Sequence, residues 1–236
     1  MKIVQYHDIC QHIQSGDVIA FAGDDLLSGV VRLSTKSSVS HVGIAWVQDQ
    51  FSENYPPKND ADQPSIKEAI NLTDLINVDI IEAHPLYFDR EARTVKTGVQ
   101  RNSLNKLIDD YRGQIWWLPL SPTKRQDFNF QKFIAFILEN EQRAYDFVQA
   151  ALAGLDLLDH WGLTQTQEDY SKFFCSELVA AAFKTAGIIE QMNASEITPI
   201  DLCRLPIYAE DYYLLCGEAI PIAGYNSRSD ENSDWD

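Results

Sequence analysis

The chain has 236 residues, 45% hydrophobic and 11% aromatic, which suits one sizeable folded domain able to bury a core without staples. Its 19 basic and 35 acidic residues leave a net charge of −16, so neither nucleic acid nor an anionic membrane is an expected electrostatic partner. The four cysteines, at 10, 175, 203 and 216, show no C-x-x-C and no paired spacing, which argues against a disulfide framework or a zinc site.

The N-terminus "MKIVQYHDICQHIQSGD" carries no apolar run of signal-peptide length, and no segment is long enough to span a membrane. The expected setting is the cytoplasm, with reduced thiols. Ile3, Tyr6, Ile9 and Ile13 predict an amphipathic helix over residues 3–14, closed by Ser15-Gly16. "DVIAFA" reads as a short buried strand. Asp24 or Asp25 offers a cap for "LLSGVVRLSTK", although Gly29 and the β-branched Val30-Val31 weaken a helix there. "HVGIAWV", residues 41–47, is a second strand.

Residues 49–76 are polar, contain "ENYPPKNDADQP", and read as an insertion forming a flap over a cleft, with a short helix in "SIKEAINLTDLI". "NVDIIEAHP" predicts a third strand ended by Pro85. "TVKTGVQ" and "QIWWLPL" are further strands, with "SLNKLIDDY" helical between them. Residues 123–158 are helical in pattern, divided near Arg143. "KFFCSELVAAAFKTAGI" places Leu178, Val179, Ala182, Phe183 and Ala186 on one helical face, stopped by Gly187. "DYYLLC" is a last possible strand, and residues 223–236 read as a disordered acidic tail after a single domain spanning 1–222. Strands around a central insertion, followed mostly by helices, predict an α+β fold with an antiparallel sheet.

Cys175 falls at the predicted start of its helix, where unpaired N–H groups and the positive dipole end favour a thiolate. Cys10, Cys203 and Cys216 read as small hydrophobes. A nucleophilic thiol needs a base. Of the five histidines, His7 and His12 read as surface residues and His160 as local packing. His41 opens an apolar strand and can present its ring into a cleft; a hydrogen-bonded histidine at a sheet edge is the other reading. Glu82 and His84 share one face of "IIEAHP". Glu82 can orient an imidazole, or can serve as a surface carboxylate or an ion-pair partner.

In order, "GDVIAF", "SHVGIAWV", "IIEAHP", "AYDF", "FFCSELVAAAF" and "ITPIDL" resemble the permuted papain-like cysteine amidases. These are NlpC-type relatives in which the histidine strand precedes the cysteine helix. The chain most resembles their bacterial cysteine-peptidase branch, with lecithin retinol acyltransferase a more distant relation. The resemblance runs from about Gly16 to Leu202. It implies a circularly permuted papain-like fold, an antiparallel sheet or small barrel packed against helices that include the cysteine helix. It implies Cys175 as nucleophile, His41 as general base and Glu82 as orienting residue. Tyr145 matches a tyrosine that lines the site or helps to hold an oxyanion, Thr198-Pro199 a structural turn, and His84 is a second orienting candidate.

The implied activity is hydrolysis of an amide, peptide or peptide-like, through an acyl-enzyme, with the oxyanion held by the Cys175 N–H and a neighbour. No metal and no cofactor are expected. An acyltransferase or lipid esterase using the same thioester is the alternative, drawing on the apolar pair Trp116-Trp117. A binding protein that kept the fold without turnover is the third.

Overall fold

The computed structural model describes residues 1–23, 37–47, 77–89, 94–142, 170–190 and 197–228. The strands are β1 (Lys2–Ile3), β2 (Val18–Gly23), β3 (His41–Val47), β4 (Val78–Asp89), β5 (Thr94–Ser103), β6 (Gly113–Leu118) and β7 (Tyr213–Cys216). The helices are α1 (Tyr6–Ile9), α2 (Leu104–Asp110), α3 (Pro122–Asp127), α4 (Phe130–Gln142), α5 (Tyr170–Thr185) and α6 (Pro199–Cys203). The fold is α+β. One seven-stranded sheet has the order β1-β7-β6-β2-β3-β4-β5. Its pairs are antiparallel except β1 with β7, so the sheet is mixed rather than purely antiparallel.

Both faces of the central strands are covered, which explains why β2 and β3 read as unbroken apolar runs instead of alternating ones. Ile19, Phe21, Ala45, Ile80, Ile115 and Trp117 face one core, closed by Tyr6, Cys10 and Ile13 of the N-terminal segment and by Leu104 of α2. Val18, Val42, Ile44, Ile81, Trp116 and Leu118 face the larger core, built with Phe133 and Ile137 of α4 and with Leu178, Val179, Ala182 and Phe183 of α5.

Asp17 joins the two ends of this arrangement. Its side chain is 1% exposed, and Oδ2 accepts from the Gln14 N–H and the Trp117 indole, both at 2.9 Å. Oδ1 accepts from the Leu120 N–H at 2.9 Å and from the Arg125 guanidinium. Burial pushes this carboxyl up from its ordinary range, against the pull of Arg125 and the N–H donors.

Several boundaries differ from the sequence expectation. The predicted N-terminal helix is split into β1, α1 and a 3-10 turn at Cys10–His12, because Lys2 and Ile3 pair with Tyr213 and Leu214. β4 continues past Pro85: the ladder to β5 shifts register between His84 and Tyr87, an irregularity that tolerates a residue with no N–H. The helical stretch is also broken at Phe128-Asn129, between α3 and α4; the division expected near Arg143 lies outside the described residues. Thr198-Pro199 is the start of α6 rather than a plain turn, with Thr198 and Asp201 forming a capping box.

Residues 223–228 are folded, not tail. Tyr225 packs 4.1 Å from the Tyr212 ring and donates to the Ala209 carbonyl at 3.0 Å, while Asn226 exchanges hydrogen bonds with the Tyr208 backbone. Arg228 pairs with Asp201 at 2.9 Å. These anchors precede the acidic run, which explains the misplaced boundary. The insertion at 49–76, the "LLSGVVRLSTK" segment, Tyr145, His160 and residues 229–236 lie outside the described residues.

Candidate active site

His41 is the first residue of β3, held against β2 by the Phe21–His41 register. Just before it, the Ser40 N–H and hydroxyl both donate to the Phe21 carbonyl, at 2.8 and 3.2 Å. The Phe21 ring lies 5.6 Å from the imidazole and is itself braced edge-on by Tyr111. The imidazole is thus fixed by strand pairing and packing together. It remains 16% exposed.

Glu82 sits on β4, and pairing parity puts it on the same sheet face as His41. Gly43 brings the two strands into close contact: a Cβ there would lie 2.3 Å from Ile80 Cγ2 and 3.3 Å from Glu82 Cβ. The Glu82 carboxylate is 5% exposed, and both its oxygens are engaged. Oε2 meets His41 Nε2 at 2.6 Å, and Oε1 accepts from Asn102 Nδ2 at 2.7 Å. A buried carboxylate needs such partners. Asn102, on β5, had no signal in the sequence and lay just past the predicted strand "TVKTGVQ"; the strand runs on to Ser103, and the β4–β5 register brings Asn102 diagonally beside Glu82.

Cys175 is fully buried in α5, which packs on the opposite face of the sheet, and its thiol makes a hydrogen bond with the His41 imidazole. The contact forms at the end of β3, where a ring on the strand's first residue can reach a group from the other core. With Nε2 committed to Glu82, Nδ1 is the ring nitrogen left for the sulfur. Burial, the largest single influence, pulls the imidazole pKa down. Attraction to the Cys175 sulfur and its hydrogen bond, followed by those of Glu82, outweigh burial and raise the pKa from 6.5 to about 10. The arrangement therefore favours an imidazolium between two partners that can carry negative charge.

One expectation is corrected. α5 begins at Tyr170, so Cys175 is in its second turn, not at its mouth. The unpaired N–H groups and the dipole belong to the first turn. The N–H of Cys175 falls within the helical ladder and is not an oxyanion donor. Activation of the thiol rests on His41 and Glu82. The next residue, Ser176, is also buried and donates to the Ile197 carbonyl, tying α5 to the segment leading into α6.

Of the other candidates, His84 has its backbone in β4, on the Glu82 face, and its side chain lies outside the described residues. Trp116 and Trp117 belong to the core, with indole N–H groups donating to the Ile220 carbonyl at 3.1 Å and to Asp17. They do not form an apolar surface for lipid. Cys10 and Cys203 are buried and Cys216 is half-buried. Burial raises the Cys203 thiol well above its ordinary range, in keeping with an inert packing role. Among the described residues, no helix is long and apolar enough to cross a membrane.

No protein-family model matches the chain, and no curated protein matches it.

Proposed function

We propose that this protein is a thiol hydrolase of amide bonds, with the arrangement of the permuted papain-like amidases. One observation carries the reading: Cys175, His41 and Glu82, from three separated segments, meet in a single hydrogen-bonded chain. The Cys175 sulfur attacks the carbonyl carbon and forms a C–S bond. His41 Nδ1–H passes its proton to the leaving nitrogen as the C–N bond breaks, giving a thioester and a free amine. His41 then takes a proton from water, whose oxygen attacks the thioester and releases the acid and the thiol. Glu82, held by Asn102, keeps Nε2 protonated and Nδ1 aimed at the sulfur throughout. Because Cys175 is fully buried, a substrate reaches it only when the cover over the sulfur moves.

The test is the shape of the Cys175 alkylation profile with iodoacetamide, which is independent of how accessible the sulfur is. An ordinary thiol with a pKa near ~8.5 loses roughly 200-fold in rate between pH 9 and pH 6. The expected profile loses less than about threefold, because the ion pair persists. A profile that follows the ordinary thiol, or no labelling at any pH, overturns the reading.

A further inference from the structure

Gln100 stands on β5 directly opposite Glu82 in the β4–β5 register, on the sheet face that carries His41 and Glu82. It is only 7% exposed, yet among the described residues neither Oε1 nor Nε2 of its carboxamide has a hydrogen-bond partner. Two residues further along the same face, Asn102 commits its amide to Glu82. The two carboxamides therefore differ: one completes the catalytic chain and the other is left open beside it. A buried amide with both ends unpartnered is costly, and native folds rarely keep one without a ligand or water to satisfy it.

We propose that Gln100 is a substrate-binding residue, its carboxamide pairing with a peptide group of the chain that Cys175 cleaves. The inference rests on the thiol hydrolase reading and names its substrate class. A carboxamide offers N–H donors and a carbonyl acceptor, and a peptide group answers with one acceptor and one donor. A lipid ester offers acceptors only and leaves Gln100 Oε1 unsatisfied. Two strand spacings of ~4.8 Å place Gln100 about 10 Å from β3, the span of about three extended residues. Because Cys175 comes from the other face of the sheet, that span is a minimum: the amide it reads lies at least three residues from the scissile bond, and a single acylated amino acid is too short to reach it.

The experiment compares the rate at which Cys175 is alkylated by three probes: iodoacetamide, an N-acetyl tripeptidyl chloromethyl ketone, and its analogue with the distal amide replaced by an ester. The wild-type protein is expected to favour the peptide over the ester analogue by about 10- to 100-fold, the range for one buried acceptor left without its donor. Gln100→Leu should abolish that preference and raise the urea midpoint, because an orphan amide has been removed. Gln100→Glu keeps an acceptor for the peptide N–H and loses only the donor to the carbonyl that both probes share, so the preference should persist while alkylation by both peptidyl probes slows. A preference that survives Gln100→Leu overturns the proposal, as does one that Gln100→Glu abolishes or a wild-type protein that treats peptide and ester alike; a raised midpoint in Gln100→Leu with the preference intact would mean that Gln100 holds a trapped water only. An ordinary iodoacetamide pH profile fails the thiol hydrolase reading instead, so the two failures are distinguishable.

Discussion

Glu82→Gln removes one charge and almost no volume from the centre of the site. The rise of His41 from 6.5 to about 10 corresponds to roughly 5 kcal/mol of preference for the imidazolium, at ~1.4 kcal/mol per pH unit. Burial opposes that preference, and Cys175 and then Glu82 supply it. A hydrogen bond to a charged partner contributes about 1.5–3 kcal/mol, so losing the Glu82 charge should lower the ring by about 1–2 pH units. Geometry adds a second cost. If the new amide keeps its oxygen on Asn102, it turns an N–H toward His41 Nε2, which must then accept, moving the ring proton to Nδ1 opposite the sulfur. That tautomer cannot take the thiol proton.

Alkylation of Cys175 at pH 6 is therefore expected to fall about 10- to 100-fold in Glu82→Gln, with the variant approaching wild type near pH 9. Stability should follow the same linkage. A raised imidazole pKa stabilises the fold fully below about 6.5 and loses that contribution as pH rises toward about 10. The wild-type advantage over the variant, from urea unfolding, should shrink by about 1–2 kcal/mol between pH 8 and pH 10. Identical alkylation profiles, or a stability difference that does not change with pH, would refute the coupling.

Asn102→Ala deletes the 2.7 Å bond to Glu82 Oε1 and leaves the carboxylate free to turn; alkylation at pH 6 should fall by about tenfold, and Asn102→Asp, which places a like charge beside Glu82, should do worse. Asp17→Ala strips the buried partner from Arg125 and leaves the Trp117 and Leu120 N–H groups unpaired. It should cost about 3–5 kcal/mol in urea unfolding. The shape of the Cys175 pH profile in the folded protein should survive, because Asp17 precedes β2 at the end away from the Phe21–His41 pair.

The sequence by itself determined the local pieces. Period-two and unbroken apolar runs marked β2 to β6, and the three-four spacing after Cys175 marked the buried face of α5, because burial leaves its imprint on residues adjacent in the chain. The types and order of Cys175, His41 and Glu82 were likewise legible, since a thiol, an imidazole at a strand end and a carboxylate within an apolar strand are each chemically conspicuous. Whether they meet was not, and neither were Asn102 and Gln100: their roles follow from which β5 residue lies beside Glu82, and a slip of one residue would turn both to the other face. The position of Cys175 within its helix was also a tertiary matter, because propensity alone did not reveal that α5 starts five residues earlier. Register, and the rim at which a ring from one face reaches a sulfur from the other, are properties of the packed sheet, where contacts distant in sequence outweigh local preference.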